Sequence, residues 1–233
     1  MKTCAIITAG GTGKRFGAEL PKQFAELTGV PIIVRSIVKF EMLEEIDSIV
    51  ITIHPNWSAY LDNLLKYDYF DKIKDIVHGG DLRQDSIRNA LKSEAVLESD
   101  IILIHDAVRP LASVELIQKI INETKQHKAV IPVIPVKDTI KQVVDGKVSS
   151  TLNRKTLFGA QTPQGFKKEL IISAYETAYN AGFISTDDAS VAEFASFPVH
   201  TTEGEENNIK ITTKLDLQIA ELILRNEKNP KKK

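Results

Sequence analysis

The sequence contains little cysteine, no long hydrophobic run and almost no net charge. Its one cysteine, Cys4, excludes an internal disulfide and a cysteine-rich zinc site, and a lone thiol in an apolar stretch is typical of a buried side chain in a reducing compartment. No stretch approaches the roughly 20 apolar residues that a membrane helix needs, and the N-terminal apolar run does not have the form of a signal peptide. These absences favour a cytoplasmic enzyme.

The balance of charge excludes a globally basic protein. The chain has 30 lysines and arginines against 31 acidic residues, which gives a formal net charge of −1. Such a protein presents no overall positive potential to a nucleic acid or a membrane surface, so neither is predicted as a partner. Any cluster of cations is therefore local, and one follows the first predicted strand.

Several familiar motifs are missing or incomplete. A P-loop requires Ser or Thr after its Gly-Lys pair, but Gly13-Lys14 is followed by Arg15. The dinucleotide fingerprint requires glycine at its sixth place, where Phe16 stands. No serine lies in a Gly-x-Ser-x-Gly elbow, and the histidines and acids show no metal-ligand spacing. The sequence thus gives no support to acyl transfer and disfavours an NAD-dependent oxidoreductase.

A glycine-rich loop surrounded by cations is present instead. The apolar run Cys4 to Thr8 leads into Ala9-Gly10-Gly11-Thr12-Gly13-Lys14-Arg15 and then Pro21-Lys22-Gln23. Glycine lets the backbone approach a ligand closely, and free N–H groups in such a loop form an anion-binding concavity to which the cations add charge. We predict a phosphate-binding loop here, with a plain turn as the alternative.

Segments typical of strands and helices alternate along the chain. The predicted strands are Cys4–Thr8, Ser48–His54, Ile73–Val77, Ile101–Ile104 and Ala129–Val136, with short ones at Val199–Thr202 and Ile209–Thr212. The predicted helices begin near Pro31, Trp57, Asp81, Ser113, Phe166 and Thr186, with Asp81 and Ser113 as N-caps, and a last helix places Leu215, Ile219, Leu222 and Ile223 on one face. This alternation predicts an α/β fold with a parallel sheet covered by helices on both faces.

The segment 136–158 interrupts the alternation. Asp145-Gly146 lies between Val143-Val144 and Val148, which is a strong hairpin signal. We predict a β-arm that projects from a single domain spanning residues 1–233. Because so small a hairpin is only marginally stable alone, the arm is expected to pack against another surface, such as a second subunit.

Polar clusters follow several predicted strands, at the edge where an α/β sheet binds its ligands. The clusters are Gly79-Gly80-Asp81 with Arg83 and Ser86, His105-Asp106 with Arg109, Lys137-Asp138-Thr139, and Asn207-Asn208-Ile209-Lys210. His105 is either a general base or a structural histidine. Asp106 either binds a hydroxylated substrate or an Mg²⁺-phosphate group, or it caps a helix or pairs with Arg109. The shared position of these clusters and the cationic loop predicts one site.

These residues resemble the motifs of the sugar-phosphate cytidylyltransferases. The resemblance rests on the glycine-rich loop, Pro21-Lys22-Gln23 and the clusters after the third and fourth strands, and it covers nearly the whole chain in order. It continues through Asp138-Thr139, Gln161-Thr162-Pro163-Gln164, Thr186-Asp187-Asp188-Ala189-Ser190 and Asn208-Ile209-Lys210-Ile211-Thr212. The sequence is most similar to the 2-C-methyl-D-erythritol 4-phosphate cytidylyltransferases of the non-mevalonate isoprenoid pathway. The nearest relatives of that family are the ribitol-5-phosphate cytidylyltransferases, and valine at position 108 resembles their sequences.

The resemblance implies a Rossmann-like nucleotidyltransferase fold, CTP as substrate, Mg²⁺ held mainly on the CTP phosphates, and a homodimer whose arms complete the neighbouring active site. It implies that the backbone of Ala9, Gly10, Gly11 and Gly13 holds the triphosphate and that Arg15, Lys22 and Lys210 are catalytic. It places Gly80, Asp81 and Ser86 around the cytosine, and Asp106 on the ribose or the sugar phosphate. The further implied substrate contacts are Arg109, Thr139, Arg154, Thr162, Thr186 and Lys210.

The implied reaction needs no catalytic base. A phosphate monoester has a second pKa near roughly 6, so its oxygen is already ionised at neutral pH. That oxygen would attack the α-phosphate of CTP in line and expel pyrophosphate, while lysines and arginines position the phosphates and neutralise their charge. The alternatives are CMP transfer to ribitol 5-phosphate and a non-catalytic nucleotide-binding module on the same fold.

Overall fold

The computed structural model, which describes residues 1–11, 20–66 and 70–228, is built around an eight-stranded sheet. The strands of this sheet are β1 (Thr3–Ala9), β4 (Ser48–Ile53), β5 (Ile73–His78), β6 (Ile101–Asp106), β7 (Ala129–Pro135), β10 (Phe158–Ala160), β11 (Gln164–Lys167) and β12 (His200–Glu203). Two separate hairpins are formed by β2 (Glu26–Leu27) with β3 (Val30–Pro31), and by β8 (Lys141–Val144) with β9 (Lys147–Thr151).

Most strands of the large sheet run parallel. The order is β10-β7-β11-β6-β1-β4-β5, and β12 pairs with β7. Strands β6, β1, β4 and β5 pair in parallel, as does β12 with β7, whereas β11 runs antiparallel between β6 and β7 and β10 runs antiparallel to β7. The mostly parallel sheet predicted from the alternation is therefore confirmed.

Helices cover both faces of the sheet. They are α1 (Ile32–Glu41), α2 (Ser58–Leu65), α3 (Arg83–Ala90), α4 (Glu94–Leu97), α5 (Val114–His127), α6 (Lys168–Asn180), α7 (Asp188–Phe194) and α8 (Lys214–Lys228). Side chains alternate along a strand, so Ala5 and Ile7 of β1 pack with α1, α2 and α5, while Cys4 and Ile6 pack with α3, α4, α6 and α7. None of the helices in the described part of the chain is long and apolar enough to cross a membrane.

One of the two predicted helix caps is confirmed. Ser113 is the N-cap of α5, and its Oγ accepts a hydrogen bond from Leu116 N at 2.9 Å. The prediction for Asp81 is wrong, because the N-cap of α3 is Leu82. The carboxylate of Asp85 accepts the Leu82 N–H at 3.2 Å, so this helix is capped from its own first turn and Asp81 is left in the exposed turn before it.

Two other element predictions are wrong, and one helix begins later than predicted. The helix predicted from Phe166 is α6, which begins at Lys168, because Phe166 lies in β11 and is fully buried. The predicted strand at 209–212 is a loop in which Ile211 packs into a small apolar cluster under α8. In α8 itself, Leu215 and Leu222 are exposed, whereas Ala220 is buried in that cluster.

The predicted hairpin is confirmed in the segment 136–158. Asp145 and Gly146 have φ values of 49° and 75°, the left-handed conformations that a two-residue hairpin turn requires. Strands β8 and β9 pair only with each other among the described residues, and Val143, Val144 and Val148 are exposed on them. The hairpin thus carries an apolar surface that no described residue of this chain covers.

Candidate active site

A cavity of about 480 Å³ opens at the carboxyl ends of β1, β4, β5 and β6. It lies where the parallel strands of an α/β sheet are expected to bind a ligand. Nine predicted site residues line it: Ala9, Gly10, Gly11, Lys22, Gly80, Asp81, Ser86, Asp106 and Lys210. Gly13 and Arg15 lie outside the described residues, and their roles stay predictions.

The described start of the glycine loop is fixed by buried polar contacts. Gln23 is buried, and its Nε2 donates to Ala9 O at 2.7 Å and to Gly11 O at 3.1 Å. A Cβ at Gly10 would lie 3.1 Å from Ser86 Oγ, so glycine allows the loop to lie directly against α3. These contacts occupy backbone carbonyls of the loop and hold it at the edge of the cavity.

Ser86 organises the turn between β5 and α3. Its Oγ accepts a hydrogen bond from Gly80 N and donates one to Leu82 O, both at 3.1 Å. A Cβ at Gly79 would lie 2.8 Å from the same hydroxyl oxygen. The Ser86 side chain therefore shapes the glycine turn that borders the cavity, and the exposed Asp81 follows in that turn.

Asp106, at the end of β6, is an almost buried carboxylate surrounded by three cations. Its Oδ1 accepts from Arg83 Nε at 3.2 Å, and its Oδ2 lies 2.7 Å from Lys210 Nζ and 3.7 Å from Arg109 Nε. Thr8 Oγ1 donates to Oδ1 at 3.3 Å. Burial raises the pKa of Asp106, but the charges of Arg83, Lys210 and Arg109 outweigh burial and hold that pKa well below its usual range. The group is therefore ionised at every physiological pH.

Lys210 reaches the cavity from a loop that the main chain ties down. The N–H of Ile211, the next residue, donates to Val108 O at 2.9 Å. The Lys210 side chain is 40% exposed, so its ammonium can face a ligand while it contacts Asp106. Arg109 is more enclosed, because its Nη1 donates to Asn208 O at 2.7 Å and its Nη2 to Ala160 O at 3.4 Å. It links β6 to the loop that carries Lys210.

His105 is structural, and its tautomer follows from its neighbours. Its Nε2 lies 3.2 Å from Arg109 O, which can only accept, so Nε2 carries the proton. Its Nδ1 then accepts from Thr162 Oγ1 at 3.0 Å, and the same hydroxyl accepts the Asp106 N–H at 3.1 Å. Burial lowers the pKa of His105 from 6.5 to about 4, more than neighbouring Asp106 raises it. The neutral ring lies beneath Asp106 and Arg109 and does not line the cavity.

Besides Arg109, four predicted substrate contacts do not line this cavity. Thr162 is buried with its hydroxyl directed at His105 and Asp106. Thr186 is exposed just before α7, and Thr139 and Arg154 are exposed on the arm, where Arg154 Nη1 donates to Lys137 O at 2.5 Å. Within one chain these residues are not brought together with Lys22 and Lys210, and their substrate contacts stay predictions.

Sequence reasoning assigned no role to four residues that hold the site. Gln23 and Arg83 lie inside the quoted motifs, so their position in those motifs was the available signal. Asp188 also lies in a quoted motif, and its carboxylate accepts from Arg83 Nη2 at 2.7 Å. Tyr175, which donates to Asp188 Oδ1 at 2.6 Å, gave no signal because it falls at an ordinary apolar position of α6.

The cavity can bind an anion and supplies few groups for a metal. Glycine backbone, Lys22 and Lys210 border it, whereas its acidic lining residues in the described part of the chain are Asp81 and Asp106. Both oxygens of Asp106 already contact cations. No group of three or more His, Cys, Asp or Glu side chains among the described residues could hold a metal ion. The donor set fits a polyphosphate that brings its own cation. Of the two acidic lining residues, Asp106 is the buried one.

Comparisons with known proteins give one consistent result. The model of the family IspD, 2-C-methyl-D-erythritol 4-phosphate cytidylyltransferase, matches residues 3–226. The chain is 41% identical to the protein of that name from Geobacillus kaustophilus, over 94% of this chain and 96% of the relative. It is 40% identical to the one from Syntrophus aciditrophicus, over 97% of each.

Solved structures agree with the sequence comparisons. The crystal structure of 4-diphosphocytidyl-2C-methyl-D-erythritol synthase from Anaerococcus prevotii is 34% identical, covers 96% of both chains and superposes with a TM-score of 0.83. The Francisella tularensis 2-C-methyl-D-erythritol 4-phosphate cytidylyltransferase is 32% identical, with a TM-score of 0.82 over 95% of this chain and 99% of that one.

Proposed function

The chain belongs to the 2-C-methyl-D-erythritol 4-phosphate cytidylyltransferase family, and on that premise we propose that it transfers CMP from CTP to 2-C-methyl-D-erythritol 4-phosphate. The products are 4-diphosphocytidyl-2-C-methyl-D-erythritol and pyrophosphate, which places the reaction in isoprenoid biosynthesis. The observation that carries the proposal is the cavity in which glycine backbone, Lys22 and Lys210 meet the ionised Asp106. Transfer to ribitol 5-phosphate is not favoured, because the matched family and its relatives are methylerythritol phosphate enzymes.

The transfer is a substitution at phosphorus. An oxygen of the sugar phosphate forms a bond to the α-phosphorus of CTP, and the bond from that phosphorus to the bridging oxygen breaks, so pyrophosphate leaves with the electron pair. The attacking oxygen is already ionised at neutral pH, and no residue needs to remove a proton. The chain contributes by positioning and by neutralising charge.

We assign this work to the predicted site residues. The backbone of Ala9 to Gly11, and Gly13 beyond it, binds the triphosphate. Lys22 and Lys210 neutralise charge on the reacting phosphates together with Arg15. Gly80, Asp81 and Ser86 bind the cytosine, and Asp106 orients the ribose or the acceptor phosphate with the support of Arg109.

We assign Mg²⁺ as the cofactor, because CTP brings several negatively charged phosphate oxygens, the ligands that Mg²⁺ takes in nucleotide sites. The triphosphate would hold the ion, since the cavity has only two carboxylates among its described lining residues. When bound, the ion offsets negative charge on the phosphates.

The active form is a homodimer joined through the arm. Exposed valines on β8 and β9 need an apolar partner, and Thr139 and Arg154 lie on the arm away from the cavity of their own chain. A second subunit satisfies both observations, because its cavity would receive these two residues.

We place the enzyme in the cytoplasm, where CTP is available and the lone buried thiol of Cys4 stays reduced.

Turnover with defined substrates tests the proposed function. The purified protein is incubated with CTP, Mg²⁺ and 2-C-methyl-D-erythritol 4-phosphate, and pyrophosphate release is followed. Matched reactions replace the acceptor by ribitol 5-phosphate, or CTP by ATP, GTP or UTP. Pyrophosphate release only with CTP and the methylerythritol phosphate is the expected result. Faster pyrophosphate release with ribitol 5-phosphate would contradict 2-C-methyl-D-erythritol 4-phosphate as the acceptor. CTP binding without pyrophosphate release would favour a non-catalytic nucleotide-binding module.

A further inference from the structure

We propose that Asp188 is a positioning residue for cytidylyl transfer, which acts through Arg83 on Asp106. The three side chains form what we call the Arg83 bridge, in which one guanidinium joins a carboxylate in the cavity to a carboxylate behind it. The inference deepens the proposed function and rests on it, because Asp106 and Arg83 both line the nucleotide cavity.

The geometry of the bridge uses two different nitrogens of the guanidinium. Arg83 is the first residue of α3; its Nε donates to Asp106 Oδ1 at 3.2 Å and its Nη2 to Asp188 Oδ2 at 2.7 Å. The Arg83 side chain is 29% exposed and reaches the cavity, whereas Asp188 is completely buried. A planar fork can hold two carboxylates in fixed directions at once, whereas the three donors of an ammonium can rotate.

Asp188 is itself held in place from behind. Tyr175, which is buried on α6, donates its hydroxyl to Asp188 Oδ1 at 2.6 Å. The start of α7 is fixed by Gln164, whose Oε1 accepts the Ala189 N–H at 2.9 Å. Each oxygen of Asp188 therefore has a short hydrogen bond, and the carboxylate has little freedom to turn.

The charges explain why the second carboxylate matters for ligand binding. Burial would lower the pKa of Arg83, but Asp188 and Asp106 raise it above its ordinary value, so the guanidinium stays charged. Without Asp188, this cation would have Asp106 as its remaining partner and could turn to bind both carboxylate oxygens. One of those oxygens is the partner of Lys210 at 2.7 Å. Asp188 thus keeps the Arg83 guanidinium on Asp106 Oδ1, and Asp106 Oδ2 stays available to Lys210.

Stability alone would be a weak reason for this arrangement. Burying an ion pair costs solvation free energy, and replacement by apolar residues is often neutral or stabilising. A second, fully buried carboxylate behind the first makes sense where the direction of the guanidinium has to be set. The bridge runs from the cavity to α6 and α7, which otherwise contribute no residue to the cavity lining.

A double-mutant cycle tests the proposal. Asp188→Asn is expected to raise the KM for CTP and to lower kcat/KM by about 10- to 100-fold, because a small misplacement of positioning groups has losses of this size. Arg83→Ala should lose at least as much. In the Arg83→Ala background, Asp188→Asn should then cause no further loss of kcat/KM, since Asp188 acts only through the guanidinium. Losses that multiply in the double variant would overturn the proposal.

A matched control separates positioning from folding. Asp187→Ala removes the neighbouring carboxylate, which caps α7 through Ser190 N at 3.0 Å and does not contact Arg83. Loss of the cap should lower the thermal midpoint, while the KM for CTP stays within about 3-fold in the wild-type and in the Arg83→Ala background. If the role of Asp188 were merely structural, Asp188→Asn would behave like this control. It would have a lower thermal midpoint and less active protein, but an unchanged KM for CTP.

Two further variants decide the matter if Asp188→Asn does not fold. Tyr175→Phe keeps the ring and removes only the donor to Asp188, and it should raise the KM for CTP in the wild-type background but not in Arg83→Ala. Arg83→Lys should fail to restore the KM, because lysine lacks the fork. An effect of Tyr175→Phe that is equal in both backgrounds would contradict the bridge.

Direct CTP binding separates this proposal from the proposed function. The same cycle is measured by calorimetry with CTP and no acceptor. Absence of pyrophosphate release by the wild-type protein would reject the proposed function, yet non-additive CTP affinities would still support the bridge. Additive affinities would reject the bridge, whatever the turnover of the wild-type protein.

Discussion

At the scale of single residues, the site depends on where charge is held. Asp106 is kept ionised by three neighbouring cations, and one of them, Lys210, lines the cavity together with Lys22. Nine of the predicted site residues line the cavity, and the glycines and cations near strand ends that led to them are visible in one dimension. The sequence did not predict that Arg83 contacts Asp188, because these two residues meet only after folding.

Lys22 offers the simplest test of charge neutralisation at this scale. Lys22→Ala is expected to reduce kcat by at least about 10²–10³-fold, the usual cost of removing a preorganised charge contact to a reacting group, and Arg15→Ala should behave alike. Lys92→Ala, which changes an exposed lysine away from the cavity, is the matched control and should retain full turnover. Pyrophosphate release under saturating substrates is the measurement. Near-normal turnover of Lys22→Ala, with unchanged folding by circular dichroism, would contradict the assigned role.

His105 makes a prediction about stability and pH. Because burial lowers its pKa from 6.5 to about 4, the unfolded chain binds a proton in that window that the native ring does not. The contribution of the neutral ring is complete above pH 6.5 and is lost as the pH falls towards 4, by up to about 3 kcal/mol in the free energy of unfolding.

The variant that isolates this effect is His105→Gln, which does not titrate. Urea unfolding of both proteins between pH 7 and pH 4.5 should show a steeper fall in stability for the wild type than for the variant. Parallel curves would show that His105 titrates normally in the native state. A fall of kcat at mildly acidic pH that disappeared in His105→Gln would instead favour the general-base interpretation.

At the scale of elements, the sequence predicts the strands and helix caps that local patterns determine. It does not predict a strand that forms only by pairing with distant strands. Strand β1 and the cap at Ser113 follow from apolar runs and a side-chain hydrogen bond. Strand β11 did not, because its four residues have no alternation of their own and become a strand by pairing with β6 and β7. In α8, both Leu215–Leu222 and Leu217–Leu224 fit a helical period, so periodicity could not choose the buried face.

Close packing of β11 against α5 gives a prediction for this scale. A Cβ at Gly165 would lie 2.2 Å from Thr124 Oγ1 and 2.7 Å from Ile120 Cγ2. Gly165→Ala is therefore expected to lower the free energy of unfolding by about 1–3 kcal/mol through overpacking. Gly159→Ala is the matched control on β10, where the nearest atom to a Cβ lies 3.7 Å away, and it should be neutral or slightly stabilising. Urea unfolding measures both, and equal stabilities of the two variants would contradict the packing argument.

At the scale of the whole molecule, the proposed dimer predicts complementation between two inactive proteins. If the arm of one subunit serves the cavity of the other, a hybrid of Arg154→Ala and Lys22→Ala subunits contains one site with neither change. Random mixing should then restore about a quarter of wild-type turnover, since half of the dimers are hybrids and each has one intact site.

Subunit exchange has to be demonstrated alongside, for example by capturing one tagged variant and detecting the other. Each variant incubated alone provides the control and should stay inactive. If exchange occurs and activity does not return, the arm acts on its own chain and the shared site is wrong.

The hydrogen bonds that complete the cavity connect distant parts of the chain. Arg83 and Asp188 are 105 positions apart, and Arg109 and Asn208 are 99 apart. Such contacts form late, because closing long loops costs entropy before any contact is gained. A refolding chain should consequently recover its far-ultraviolet dichroism before it recovers affinity for CTP. A nascent chain still attached to the ribosome before Lys210 has emerged would be helical but unable to bind nucleotide, so the cell could not draw on unfinished copies for activity.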